Sequence, residues 1–178
     1  MWKLKWMNDD NTYTVYLGLG SNMGNRSQAL QRAADSIALL PATRLLRCSG
    51  IYETEPWGDE AQEPFLNCVV EIRTQRQPEQ LLEDVKAIEI ELGRMPSRKY
   101  GPRSIDIDIL LYEGRTIALD HLHIPHPLMT ARRFVLVPLN DLTDSACHPE
   151  DQRTISELIN VCADPGMVSL TNIHLHLS

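Results

Sequence analysis

A chain of 178 residues, 43% hydrophobic and 23% charged, is long enough for one domain with a real core, and no break in composition argues for two. Its formal charge of −7, from 24 acidic against 17 basic residues, has the wrong sign for a protein that follows a nucleic-acid backbone by releasing counterions. No stretch reaches the ~18 apolar residues of a membrane-spanning helix, and the N-terminus lacks the apolar core of a signal peptide, so no membrane or nucleic-acid partner is expected. Cys48, Cys68, Cys147 and Cys162 show no CxxC spacing; reduced, buried thiols and a cytoplasmic location are expected.

Residues 1–14, MWKLKWMNDDNTYT, are read as an N-terminal extension ahead of a single domain spanning 15–178. Trp2, Leu4 and Trp6 alternate with Lys3 and Lys5, which suits an edge strand or docking arm, against a frayed tail as the plainer reading. TVYLGLGSN is β-rich and ends in glycines, after which Ala29, Leu30, Ala33, Ala34, Ile37 and Leu40 recur at helical spacing up to Pro41. GLGSNMGN lacks GxGxxG spacing and a P-loop Lys-Ser/Thr pair, so it is read as structural, with at most one wall of a site. Arg44 to Thr54 and Leu66 to Thr74 read as two more strands. The second places Leu66, Cys68, Val70 and Ile72 inward and Asn67, Val69, Glu71 and Arg73 opposite. A helix follows, with Pro78 in its first turn, a stripe of Leu81, Leu82, Val85, Ile88 and Leu92, and Gly93 at the C′ position.

That helix delivers the chain into RMPSRKYGPRSIDIDILLY, residues 94–112, where four basic residues and no acidic one run straight into a strand carrying Asp106 and Asp108. Side chains two apart share a face, so Ile105, Ile107 and Ile109 enter the core while both aspartates leave on the other side. Carboxylates about 6.6 Å apart along a strand repel by roughly 2–3 kcal/mol at an effective dielectric of ~20. A divalent cation reverses that sign, and magnesium is held by one or two carboxylates plus substrate phosphates. Arginine forks match phosphate oxygens. Pro102 and Gly101 hold Arg103 at the mouth of the strand, and the stretch around Gly93, Pro96, Gly101 and Pro102 has the composition of a lid that brings Arg94 or Arg98 over a polyphosphate. Residues 121–124 suggest another strand, and 130–142 and 154–161 shorter helices. His126, between two prolines, is held extended as a cation or donor for phosphate, with an inert loop histidine as the plainer reading. Phe65, Phe134 and Asn67 could sandwich a flat heterocycle and read its edge.

The order β, α, β, β, α, β matches the split βαβ arrangement, an antiparallel sheet with helices on one face. The expected fold class is α/β (α+β): a ferredoxin-like antiparallel sheet covered by helices, in three αβα layers.

Taken in order, LGLGSNMGNR, YETEPWG, FLNCVVEI, ELGR, GPRSIDIDILLY, IPHP and RRFVLVPL resemble the 6-hydroxymethyl-7,8-dihydropterin pyrophosphokinase family of folate biosynthesis, from about Val15 to Leu142. The resemblance implies transfer of the pyrophosphoryl group of ATP to the pterin hydroxymethyl, with release of AMP and two Mg²⁺ ions as cofactors. It implies that Asp106 and Asp108 are the metal ligands and that Arg94 and Arg103 bind the transferring phosphates. Thr54, Trp57, Phe65, Asn67 and Phe134 would bind the pterin, Thr54 and Trp57 through backbone groups. Glu89, Arg98, Tyr100, Arg103, Ile109, His126 and Arg132 would contact ATP. Tyr100 stands where the family often has Trp. A monomer is expected, with weak association with other folate enzymes left open. A Mg²⁺-dependent nucleotidyltransferase, an ordinary kinase and a non-catalytic ferredoxin-like binding module remain the alternatives to a pyrophosphokinase.

Overall fold

The central sheet is assembled around one strand whose apolar residues face one way and whose glycines face the other. The computed structural model describes residues 12–58, 61–95, 101–113, 115–144 and 146–177. In chain order β1 (Tyr13–Ser21) is followed by α1 (Arg26–Ala38), β2 (Thr43–Cys48), β3 (Tyr52–Thr54), β4 (Phe65–Thr74) and α2 (Pro78–Glu91). Then come β5 (Asp106–Tyr112), β6 (Ile117–Leu119), β7 (Leu122–Ile124), a 3-10 turn (Met129–Ala131), α3 (Arg133–Leu142), α4 (Ile155–Val161) and β8 (Val168–Leu170). The sheet runs β5-β1-β4-β3-β8, with β2 beside β3 along the same side of β4, and its pairings are antiparallel. β6 and β7 form a separate hairpin. No helix among the described residues is long and apolar enough to cross a membrane.

Alternation along the strands sorts side chains into two cores. Val15, Leu17 and Leu19 of β1, Leu66, Cys68, Val70 and Ile72 of β4, and Ile107 and Ile109 of β5 pack with Leu30, Ala33 and Ile37 of α1 and Leu81, Val85 and Ile88 of α2. Val69 and Leu110, on the opposite face, pack with Val135, Leu136 and Leu139 of α3, Ile155 and Leu158 of α4, and Met129. Helices therefore cover both faces, giving the three-layer αβα arrangement, whereas the split βαβ unit alone accounts for only one covered face.

Four expectations shift. β1 begins at Tyr13, inside the stretch read as an extension, because Tyr13 and Thr14 pair with Thr74 and Arg73; residues 1–11 lie outside the described residues. Arg44 to Thr54 is two strands, because the Gly50 N–H leaves the ladder for Asp141 (2.9 Å) and Gly50 lies so close to β8 that a Cβ there would sit 2.5 Å from Leu170. The stretch 130–142 is broken at Arg132, whose extended backbone (φ −128°, ψ 107°) separates the 3-10 turn from α3. The C-terminal strand β8 was not read from the sequence at all. The cysteines are free, but Cys147, on the loop after α3, is exposed rather than buried.

Leu17 is fully buried at the centre of the sheet, while Leu39 is 84% exposed. Leu17→Ala is expected to cost about 2–5 kcal/mol in equilibrium urea unfolding, and Leu39→Ala to stay within about 0.5 kcal/mol.

Candidate active site

The end of α2 places the first charged group. Gly93 adopts φ +87°, its N–H donates to Ile90 O (3.0 Å) and the Arg94 N–H donates to Glu89 O (2.9 Å), a Schellman turn that reverses the chain. Arg94 is thereby directed at β5, where its guanidinium donates to Asp106 Oδ1 at 2.7 Å and pairs with Glu89. Glu89 is buried, with only 2% of its side chain exposed. Its Oε1 accepts from the Ile107 N–H (2.7 Å) and from Lys86 Nζ (2.9 Å), while Lys86 also donates to Ile107 O (3.2 Å). Burial pushes the Glu89 carboxyl up, against the pull of Lys86, the Ile107 N–H and Arg94. A carboxylate so enclosed and so engaged holds Arg94 in place.

The turn before β5 is clamped to the end of β1. The Arg103 N–H donates to Asn22 Oδ1 (2.8 Å), the Asn22 N–H donates to Arg103 O (3.1 Å) and Ser21 Oγ donates to Ser104 O (2.6 Å). Asn22 also donates to Gln62 and to Glu63 O, at 3.1 and 3.2 Å, so one buried amide ties three segments together. Arg103 then reaches the second oxygen of Asp106. Burial works against ionisation of Asp106, but Arg103 first, then Arg94 and Lys86, outweigh it and hold the carboxyl below the ordinary carboxylate value. Burial likewise opposes the charge on Arg94, yet Asp106 and Glu89 raise it overall.

Across the sheet from the aspartates stand glycines. Asp106 pairs with Gly20 and Asp108 with Gly18 on β1, and beyond them on β4 lie Asn67 and Val69. The absent side chains leave an open cleft floored by Gly18 and Gly20. Asp106, Asp108 and Arg103 line one end; Thr54, Trp57, Phe65, Asn67, Arg132 and Phe134 line the other. Asn67 Nδ2 donates to Thr54 Oγ1 (2.7 Å), which turns Oδ1 over the floor, 2.6 Å from where a Cβ on Gly20 would lie. The Arg132 guanidinium lies 4.6 Å from the Trp57 ring centre and 5.6 Å from that of Phe134. The Thr54 hydroxyl and the Trp57 ring each have a side-chain partner at the cleft, Asn67 and Arg132.

His126 stands beside the cleft rather than in its lining. Its N–H donates to Leu110 O (2.9 Å), its Nδ1 accepts from the Leu128 N–H (3.2 Å), and its Nε2 faces Asp108 at 4.0 Å. Burial lowers its pKa, against the pull of Asp108, and because Nδ1 accepts, a ring proton falls on Nε2, facing Asp108. Ile109, read as an ATP contact, buries its side chain in the α1–α2 core, on the far face from Asp108. Arg98 and Tyr100, and the expected lid, lie outside the described residues. GLGSNMGN, read as structural with at most one wall of a site, supplies the floor through Gly18 and Gly20 and the clamp through Asn22. The signal was there: in an alternating strand, Gly18 and Gly20 occupy one face, and Ser-Asn follows directly.

Paired carboxylates framed by arginines, next to an aromatic and amide-lined slot on a ferredoxin-like sheet, define an enzyme that handles charged groups beside a flat ring. The family described as 7,8-dihydro-6-hydroxymethylpterin-pyrophosphokinase (HPPK) matches residues 16–144. The chain is 46% identical over 128 residues to the 2-amino-4-hydroxy-6-hydroxymethyldihydropteridine pyrophosphokinase of Methylorubrum extorquens, covering 72% of this chain and 81% of that one. It is 40% identical over 156 residues to the enzyme of the same name from Pseudomonas aeruginosa, covering 88% and 96%. Among solved structures, wild-type Plasmodium falciparum HPPK-DHPS with pterin and p-hydroxybenzoate superposes with a TM-score of 0.67 at 19% identity, over 86% of this chain and 42% of that longer one, a likeness of fold. The chain belongs to the HPPK family of ATP-dependent pyrophosphokinases.

Because the folded pKa of Asp106 is depressed, the stability it contributes is present above the unfolded carboxyl pKa of about 3.9 and is lost as pH falls through the folded value. In metal-free buffer, Asp106→Asn is expected to flatten the acid limb of stability below about pH 4; urea unfolding across pH measures it, and an unchanged acid limb contradicts the assignment.

Proposed function

We propose that the chain performs its family's reaction, transfer of the pyrophosphoryl group of ATP to the hydroxymethyl of 6-hydroxymethyl-7,8-dihydropterin in folate biosynthesis, with release of AMP. The observation that carries this reading is the row Asp106–Gly20–Asn67 across three neighbouring strands, which joins a charged end and a ring-reading end in one cleft. Asn67 Oδ1, its amide fixed by Thr54, would accept from an N–H on the heterocycle edge, while Phe65 and Phe134 flank the ring.

Asp106 and Asp108 fit magnesium by donor chemistry: two hard oxygen ligands on one face, held ionised at one position by Arg103 and Arg94, with room opposite each. When bound, the metal ions would supply charge neutralisation of the phosphate oxygens. The chain's own part is positioning. Arg94 and Arg103 are parked on Asp106, and exchange of that carboxylate for phosphate oxygens would turn the same two forks onto the transferring group without any change of backbone. His126 would donate Nε2–H to a phosphate oxygen near Asp108. Arg132 would leave its aromatic partners or stack with the ring, and Arg98 and Tyr100 would approach from the 96–100 stretch. The cofactor reading is two Mg²⁺ with ATP as co-substrate. The four free cysteines support a reducing, cytoplasmic setting, and a monomer is the simplest form.

Incubation with ATP, magnesium and the reduced pterin alcohol tests the reading. AMP as nucleotide product supports it; ADP would mean an ordinary kinase, pyrophosphate release a nucleotidyltransferase, and no turnover a binding module. Asp106→Ala and Asp108→Ala are each expected to lower kcat by at least about a hundredfold with the circular dichroism spectrum retained; near-normal turnover sinks the metal assignment. Gly20→Ala would crowd Asn67 Oδ1 and is expected to weaken pterin binding by about tenfold, the worth of one good hydrogen bond, while leaving ATP binding nearly unchanged; titration calorimetry with each ligand reads the difference.

A further inference from the structure

The helix that carries Phe134 into the cleft starts without a cap of its own. The N-cap residue of α3, Arg132, makes no side-chain capping bond, and the first turn holds no acidic residue. The first N–H groups of a helix have no partner within it and favour a nearby negative charge. Here the partner comes from a distant segment. The Arg133 N–H donates to Asp164 Oδ2 at 2.9 Å, and Asp164 Oδ1 accepts from the Gly166 N–H at 3.0 Å. Asp164 lies beyond residues 16–144, the span matched by the family.

The same segment is bound on its other side to β3 and the residues that follow it. Val168 pairs with Thr54, the Glu55 N–H donates to Met167 O (3.4 Å) and the Met167 N–H donates to Glu55 Oε2 (3.1 Å). Residues 164–168 thus strap the start of α3 to the stretch leading from Thr54 to Trp57, and these two pieces are facing walls of the cleft. Behind the walls is a second cavity, lined by Pro56, Trp57, Phe134, Asp164, Pro165 and Met167 among others. Phe134 also packs on the α3–α4 core and Arg132 lies over both rings, but between the two ring-bearing pieces, on the side of this cavity, the strap is the stretch of chain that joins them.

We propose that Asp164 is a positioning residue for the ring-binding slot: by capping α3 from the 164–168 strap it fixes Phe134 and Arg132 against Trp57. The inference rests on the pterin reading of the slot and adds to it a determinant outside the family span. Asp164 does not touch the ligand; it sets the width of the slot through the first turn of α3.

The test compares Asp164→Ala and Asp164→Asn with the unaltered full-length chain. Asp164→Ala is expected to speed amide exchange at Arg133 and to raise the Kd for the pterin alcohol, each by about tenfold, as loss of one capping bond to a carboxylate implies; Kd for ATP with magnesium should stay within about twofold. Asp164→Asn keeps an acceptor oxygen and should bring pterin affinity back to within about threefold of the unaltered chain, with the Trp57 indole resonance restored in the NMR spectrum. Unchanged Arg133 exchange in Asp164→Ala overturns the proposal, as does a loss of pterin and ATP affinity in equal measure, or an Asn variant no better than Ala. Failure of the unaltered chain to bind the pterin would instead overturn the reading of the slot, while Arg133 exchange and the Trp57 resonance still report whether Asp164 fixes the wall.

Discussion

β5 is an edge strand, and the rest of the site depends on how that edge is closed. A free edge presents unpaired N–H and C=O groups that invite association with another chain. Here Ile107 turns both of its backbone groups outward, and Glu89 and Lys86 of α2 take them, one each. Further along, the His126 N–H takes Leu110 O. The groups that close the edge are also the groups that position the chemistry: Glu89 carries Arg94 to Asp106, and the segment that satisfies Leu110 sets His126 beside Asp108. Edge protection and site assembly are the same set of bonds, so a change to one is felt by the other.

The electrostatic consequence is a carboxylate held between two guanidinium groups in a partly buried place. Burial alone would raise Asp106, and an unpaired charge there would be costly. Arg103 and Arg94 reverse that, and each arginine is itself held, Arg94 by a helix-terminating turn and Glu89, Arg103 by reciprocal bonds to Asn22. In a cluster built this way the positive groups are already gathered and braced, so an anion that takes the place of the carboxylate meets them without a change of backbone. That is the pre-organisation on which charge-stabilising catalysis relies.

Strand alternation made much of this legible from the residues. Ile107 and Ile109 inward with Asp106 and Asp108 outward, the β4 pattern around Asn67, the helix stop at Gly93 and the order of elements all follow from periods of 2 and 3.6 and from the backbone demands of glycine and proline. What could not be read is tertiary. Glu89 sits on the helix stripe next to Ile88 and looks like surface charge until the edge of β5 is brought against it. The glycines at the end of β1 read as structural until their cross-strand partners are known to be aspartates. Asp164 lies 31 residues from the amide it caps, and no local pattern joins them. Ile109 is inward by the same alternation, and its side chain packs in the α1–α2 core.

The position of the cleft follows from where the second helical layer stops. On the α3 side of the sheet, the β5 face passes from Asp106 and Asp108 to Leu110, and Leu110 packs under Gly18 and into the core formed with α3 and α4. Past that point the face is too polar, and at Gly18 and Gly20 too bare, for a helix to bury apolar area against it. α3 therefore ends its coverage at Val69 and Leu110, and its first turn, with Arg132 and Phe134, becomes the rim of the opening. The cleft is the uncovered remainder of a half-buried sheet: charged where the edge strand supplies carboxylates, aromatic where the helix begins. Its two chemistries lie next to each other because the bare glycines of β1 separate the carboxylates of β5 from Asn67 and Phe65 of β4 by the width of one strand.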